Sequence, residues 1–132
     1  TNRGNPKMNA HETVCALLQD VQALAKTEKN LAQNWNFRGI DAVTNVVGTA
    51  IRKHGGFLSM ELVNIKSVTV PGKNGGSLDK VRGVVKFNIY GSDKGEPVTG
   101  IVPAEANDYG DKGTAKMMSV ALRTFLLQLL LL

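Results

Sequence analysis

The sequence predicts an α+β fold in which a three-stranded antiparallel β-meander packs with helices in the order α-α-β-β-β-α. Two patterns carry this prediction. Apolar residues recur at three- and four-residue steps before Gly55 and again after Asp111, the spacing of amphipathic helices. Between those stretches β-branched residues and glycines replace the helical spacing, and two short Gly-containing breaks divide the run into three. With 132 residues, 42% apolar and 20% charged, the chain has the size and composition of one compact domain, and it contains no internal repeat.

Taken in order, residues 1–7 read as a flexible polar arm and 8–132 as the domain. A first helix is expected from Met8 to about Leu31, where Val14, Leu17, Leu18, Val21, Leu24 and Ala25 form one stripe. Asn34 to Gly39 breaks that pattern. A second helix begins near Ile40, carries Val43, Val47, Ala50, Ile51 and His54 on one face, has Asp41 at its positive end and stops at Gly55-Gly56. The first strand is expected over Phe57–Val70 and the second over Val81–Tyr90, joined by a mobile Gly-rich connection from Pro71. The third runs from Glu96 to about Ala106 after Ser92-Asp93-Lys94-Gly95, a tight hairpin with Gly95 in the left-handed region. Asp111 is the expected N-cap of a last helix through Ala115, Met118, Leu122, Phe125 and Leu129. The opening Thr1 and the apolar ending suggest a trimmed domain, truncated at the C-terminus.

Charge is polarised along the chain. The formal net charge is +5, a balance that favours polyanionic partners. Residues 66–94 hold Lys66, Lys73, Lys80, Arg82, Lys86 and Lys94 against Asp79 and Asp93, whereas 95–110 hold Glu96, Glu105 and Asp108 and no cation. Alternation puts Arg82, Val84, Lys86, Asn88 and Tyr90 on one face of the second strand and Val81, Gly83, Val85, Phe87 and Ile89 on the other. On the last helix Lys112, Lys116, Ser119 and Arg123 make one stripe with no acid at i+4, opposite Met118, Ala121, Leu122, Phe125 and Leu129. Each cationic row reads either as a solvated face or as a polyanion contact. If both are contacts, Arg82, Lys86, Lys112, Lys116 and Arg123 are expected to line one groove, and exposed substitutions there should leave the fold intact.

Several chemistries are disfavoured. Neither Pro71–Gly76 nor Gly110–Thr114 ends in the Gly-Lys-Ser/Thr of a phosphate-binding loop, and there is no dinucleotide fingerprint or Gly-x-Ser-x-Gly elbow. Cys15 is the only cysteine, which excludes an intrachain disulfide, and His11, His54 and Cys15 lack metal-ligand spacing. His54 beside Gly55 reads as a helix C-terminal cap or charge. Glu105, Asp108 and Asp111 could contribute to a divalent-metal site, although capping also explains Asp111. The run Phe125–Leu132, broken by Gln128, is too short to cross a bilayer and no signal peptide opens the chain, so a soluble intracellular protein is expected.

Two groups of residues resemble a known family. Asn36-Phe37-Arg38-Gly39-Ile40-Asp41-Ala42-Val43 followed by Arg52-Lys53-His54-Gly55 is similar to the Phe-Arg-x-Ile-Asp-x-Val and Lys-His-Gly signatures of ERF-type single-strand annealing proteins, the essential recombination function proteins of phages. Glu96-Pro97-Val98-Thr99-Gly100, Gly110–Lys116, Ser119–Arg123 and Leu126–Leu129 resemble the strand and final helix of the same family. The chain departs from the pattern at Gly39, where Ser is commoner, and in its Leu129–Leu132 ending.

The resemblance implies an annealing-recombinase-like core, distantly similar to the eukaryotic annealing recombinases. It further implies a non-enzymatic protein that binds single-stranded DNA without ATP or another cofactor and assembles as a homo-oligomeric ring or helix. Such a protein anneals complementary strands in recombination, in the cytoplasm of a bacterial host, with a phage exonuclease or host single-strand binding protein as a possible partner. Annealing requires free base edges, so phosphate-holding cations should carry the binding. The expected DNA contacts are Arg38, Lys73, Lys80, Arg82, Lys86, Lys112, Lys116 and Arg123, with Tyr90 the one aromatic near DNA. Trp35 and Phe37 read as core or subunit contacts, Phe57, Phe87 and Phe125 as core, and the first helix and the sheet edges as subunit contacts. A basic RNA-binding or ribosome-associated module and a small metal-dependent nuclease built on Glu105, Asp108 and Asp111 are the competing readings.

Overall fold

The computed structural model describes residues 6–27 and 40–131, with side chains for 6–21 and 44–131. Its elements are α1 (Ala10–Thr27), α2 (Ile40–Lys53), β1 (Phe57–Pro71), β2 (Ser77–Tyr90), β3 (Val98–Asp108) and α3 (Gly113–Leu129). The strands form one antiparallel sheet in the order β1-β2-β3, so the fold is the expected α+β meander with both β1 and β3 at an edge. Contacts group the chain into two compact units. One takes in α1, α2, the chain up to Ser59 and Asn88–Thr99; the other is Met60–Phe87 with Gly100–Leu129.

In the first unit, α1 starts on a reciprocal cap. The Asn9 side-chain oxygen accepts the Glu12 N–H at 2.8 Å and the Glu12 carboxylate accepts the Asn9 N–H at 3.0 Å, which satisfies two otherwise unpaired donors. Leu17 and Val21 are buried and α1 packs on α2, whose Val47, Ala50 and Ile51 are buried too. Of the α1 stripe, Leu17 and Val21 are thus covered within the chain, while Val14 and Leu18 are partly exposed. His54 is not simply a cap: its Nε2 donates to Asp20 of α1 at 2.7 Å, and Lys53 approaches the same carboxylate at 3.7 Å. The Lys-His-Gly motif therefore ties the end of α2 to α1, with Gly55 at φ 75° making the exit.

The segment before α1 is pinned to the β2–β3 hairpin. Met8 donates its N–H to Ser92 Oγ at 2.9 Å and accepts the Asp93 N–H at 3.1 Å. A Cβ at Gly91 would sit 2.2 Å from the Met8 carbonyl oxygen, so only glycine allows this approach. The left-handed residue of the hairpin is Lys94, at φ 64°, and not Gly95. Gly95 instead donates its N–H to the Asp93 carboxylate at 2.8 Å, and closing that Asx turn puts the strain one residue earlier.

In the second unit, β2 begins at Ser77, four residues before the expected start. Gly72 donates to the Gly76 carbonyl at 2.7 Å and Thr69 Oγ1 to Asp79 at 2.7 Å, so polar residues continue the ladder and the long connection shrinks to a short hairpin turn with Gly75 at φ 81°. Val81, Gly83, Val85 and Phe87 are buried on one face of β2, as alternation requires. α3 covers that face. Phe125 stacks on Phe87 with centroids 4.6 Å apart, and Met117 Cε occupies the space a Cβ at Gly83 would need. The buried side of α3 is Gly113, Met117, Ala121, Phe125 and Leu126, so Met118 and Leu122 are only partly covered. Small residues at 113 and 121 let the helix sit close to the strands, and this turns the buried stripe away from the expected one.

Candidate nucleic-acid interface

Arg82 and Lys86 stand on the face of β2 opposite the one that α3 covers. The two cationic sets therefore do not share one groove: the sheet separates Arg82 and Lys86 from Lys112 and Lys116 of the α3 region. What they share is the edge strand. Glu105 of β3 borders a cleft of about 520 Å³ with Lys66, Arg82 and Pro103. It also borders a second cleft, of about 460 Å³, with Lys112, Lys116 and Ser119.

Several of these cations are paired across strands by acids that are distant in sequence. Arg82 Nε donates to Glu105 at 2.9 Å, both side chains exposed, and Lys86 Nζ lies 3.9 Å from Glu61 of β1. Exposed pairs of this kind contribute about 0–1 kcal/mol, so a phosphate can compete for either cation. Lys116 binds the nearly buried Asp108 directly. Asp108 also accepts the N–H groups of Gly110 at 2.9 Å and Lys112 at 3.0 Å. These partners, the Lys116 ammonium first, lower its pKa from 3.8 to about 2. Asp108, rather than Asp111, is thus the acid that organises the start of α3, and Lys116 has a structural task beyond any contact with a ligand. An exposed substitution at Lys116 is accordingly not neutral to the fold.

The other expected residues are placed as follows. Lys80 is exposed on the Arg82 face of β2, Lys73 is exposed in the hairpin turn, and Lys112 is exposed at the mouth of the second cleft. Among the described residues no acid pairs Lys66, Lys73, Lys80 or Lys112. Arg123 is partly exposed on α3. Arg38, with Trp35 and Phe37, lies outside the described residues. Tyr90 stacks on Phe57 with centroids 4.7 Å apart and planes 17° from parallel. Phe57 is no core residue: it is 56% exposed, because it opens an edge strand whose outer side carries no further strand among the described residues. Lys66 and Glu105 complete the clefts and were not among the expected contacts, although Lys66 belongs to the basic segment.

The three acids Glu105, Asp108 and Asp111 do not converge. Glu105 faces Arg82 and Asp108 is engaged by Lys116 and two backbone donors, and no group of three potential ligands forms among the described residues. The nuclease reading therefore finds no metal-ligand cluster to rest on among the described residues.

A family model described as ERF superfamily matches residues 11–132. The chain belongs to the ERF superfamily. The motifs that resembled ERF-type proteins can now be given physical tasks in this ERF chain: Lys53-His54-Gly55 fastens α2 to α1, and Gly110–Lys116 builds the Asp108-centred start of α3. ERF-type proteins are single-strand annealing proteins of phage recombination, and that general role follows from membership. No curated protein and no solved structure matches the chain significantly. No helix among the described residues is long and apolar enough to cross a membrane.

Proposed function

We propose that this ERF domain binds single-stranded DNA through its phosphates and anneals complementary strands without a nucleotide cofactor, acting as a homo-oligomer and not as an enzyme. The observation that carries the reading is a set of exposed cations that no acid pairs among the described residues: Lys66 and Lys112, which line the two clefts that Glu105 borders, and Lys80 on the Arg82 face of β2. Lys and Arg hold phosphates without reading sequence and leave base edges available for pairing. Arg82 and Lys86 join when phosphate displaces Glu105 and Glu61; Lys73, Lys116 and Arg123 add positive potential, and Arg38 is retained as a contact.

The oligomer reading rests on β1. This edge strand exposes Met60, Leu62, Val63, Ile65 and Val68, apolar residues from both of its faces. An edge of that kind is suited to pairing with a second copy, and oligomerisation multiplies the few phosphate contacts of one protomer. A phage exonuclease or a host single-strand binding protein would act beside it.

The test is annealing of complementary oligonucleotides in the absence of nucleotide. Lys80→Ala with Lys112→Ala should slow annealing and weaken binding uniformly across sequences, without changing the scattering mass. Unchanged binding by that double variant, or preference for structured RNA over single-stranded DNA, would contradict the reading.

A further inference from the structure

Phe57 and Tyr90 form an aromatic pair that the core does not use. The first unit buries Leu17, Val21, Val47 and Ile51, yet leaves Phe57 56% exposed. Tyr90 lies against the Phe57 ring, and no other ring stacks on Phe57 among the described residues. The pair is held firmly in place. A Cβ at Gly56 would come within 2.5 Å of the Tyr90 carbonyl oxygen, so the backbones of β1 and β2 approach closely just before Phe57. One step along the sheet, Asn88 donates to Ser59 Oγ at 3.3 Å and accepts from Thr99 Oγ1 at 2.9 Å, locking the three strands in register.

We propose that Phe57, backed by Tyr90, is a stacking platform for one nucleobase of the bound single strand; this rests on the single-stranded DNA reading above. A rigid aromatic ring open on one side matches the flat, apolar face of a base, and base–aromatic stacking tolerates every sequence because every base has such a face. The neighbouring polar groups cannot read the base: Asn88 is buried and its amide is committed to Ser59 and Thr99. Stacking occupies the face of the base and leaves its Watson–Crick edge free, as strand pairing demands.

The test compares a fluorescent oligo-dT with an abasic strand of the same length and phosphate count, using the full chain. The parent should bind oligo-dT more tightly than the abasic strand. Phe57→Ala should weaken oligo-dT binding by about 5- to 100-fold and leave abasic binding unchanged, so that the two strands become alike. Phe57→Trp should restore the preference, with fluorescence quenched by oligo-dT beyond the quenching of parental Trp35 and not by the abasic strand. Equal affinity of the parent for both strands would overturn the platform while leaving phosphate binding in place. So would an equal loss on both strands in Phe57→Ala, or dissociation of the assembly by that variant. Binding of neither strand by the parent would overturn the DNA reading and the platform with it.

Discussion

Replacing Phe87 and Phe57 singly by alanine tests the packing account, because the two side chains are chemically alike and differ in what surrounds them. Phe87 is 0% exposed and stacks on Phe125 at 4.6 Å, so Phe87→Ala loses its transfer energy, opens a cavity under α3 and abolishes the ring pair. Such truncations cost about 3–5 kcal/mol, a large part of the roughly 5–15 kcal/mol that stabilises an ordinary domain. At this chain length each kcal/mol moves the Tm by roughly 3–5 °C, which gives a fall of about 9–25 °C. Phe57 already exposes 56% of its surface and makes one ring contact, so Phe57→Ala should cost about 1 kcal/mol, the value of an aromatic pair. Thermal unfolding followed by far-ultraviolet circular dichroism separates the two. Equal losses, or a larger loss at Phe57, would refute the assignment of Phe87 to the core and Phe57 to the surface.

Other changes test single features. Asp108 has a depressed pKa of about 2 against 3.8 unperturbed, so its stabilising contribution is complete above about pH 4 and is lost as pH falls towards 2. Asp108→Asn should lower the Tm at neutral pH and flatten the acid limb of the Tm–pH profile; an unchanged acid limb would show that the contacts with Lys116, Lys112 and Gly110 do not favour the carboxylate. Lys94→Gly should raise stability by about 1 kcal/mol, since it relieves a left-handed side chain at φ 64°, and a loss in urea unfolding would contradict that backbone assignment. Glu105→Gln frees Arg82 and removes the acid that borders both clefts, so single-stranded DNA affinity should rise in a fluorescence-anisotropy titration. A fall would mean that Glu105 orders Arg82 for the contact.

Binary patterning made most of the fold legible. The steps of Val47, Ala50 and Ile51 and the alternation of Val81, Val85 and Phe87 are direct consequences of burying one face, and the structure buries those faces. Patterning does not say whether a face is covered, and so Phe57, apolar but on an edge strand, reads as core from the sequence alone. Local rules also miss partners brought in by topology. Arg82 has no acid on its own face of β2 but meets Glu105, 23 residues on, and Asp108 displaces the more obvious Asp111 because Lys116 returns to it from the first turn of α3. The left-handed residue of the hairpin falls at Lys94, one position before Gly95, because the Asp93 carboxylate captures the Gly95 N–H, which no propensity for glycine anticipates. For the site, the identities of most cations were readable, whereas their division between two faces depends on which side of the sheet α3 covers.

The salt dependence of binding to single-stranded DNA, measured per protomer and without nucleotide, addresses the central claim most directly. Each neutralised phosphate contributes about −0.7 to the slope of log K against log salt, so contacts from Lys66, Lys80 and Lys112 alone give a slope of about −2, and release of Arg82 and Lys86 from their acids makes it steeper. Lys80→Ala should reduce the slope by about 0.7. A slope near zero, or binding that requires ATP, would contradict phosphate-held, cofactor-free annealing by this domain.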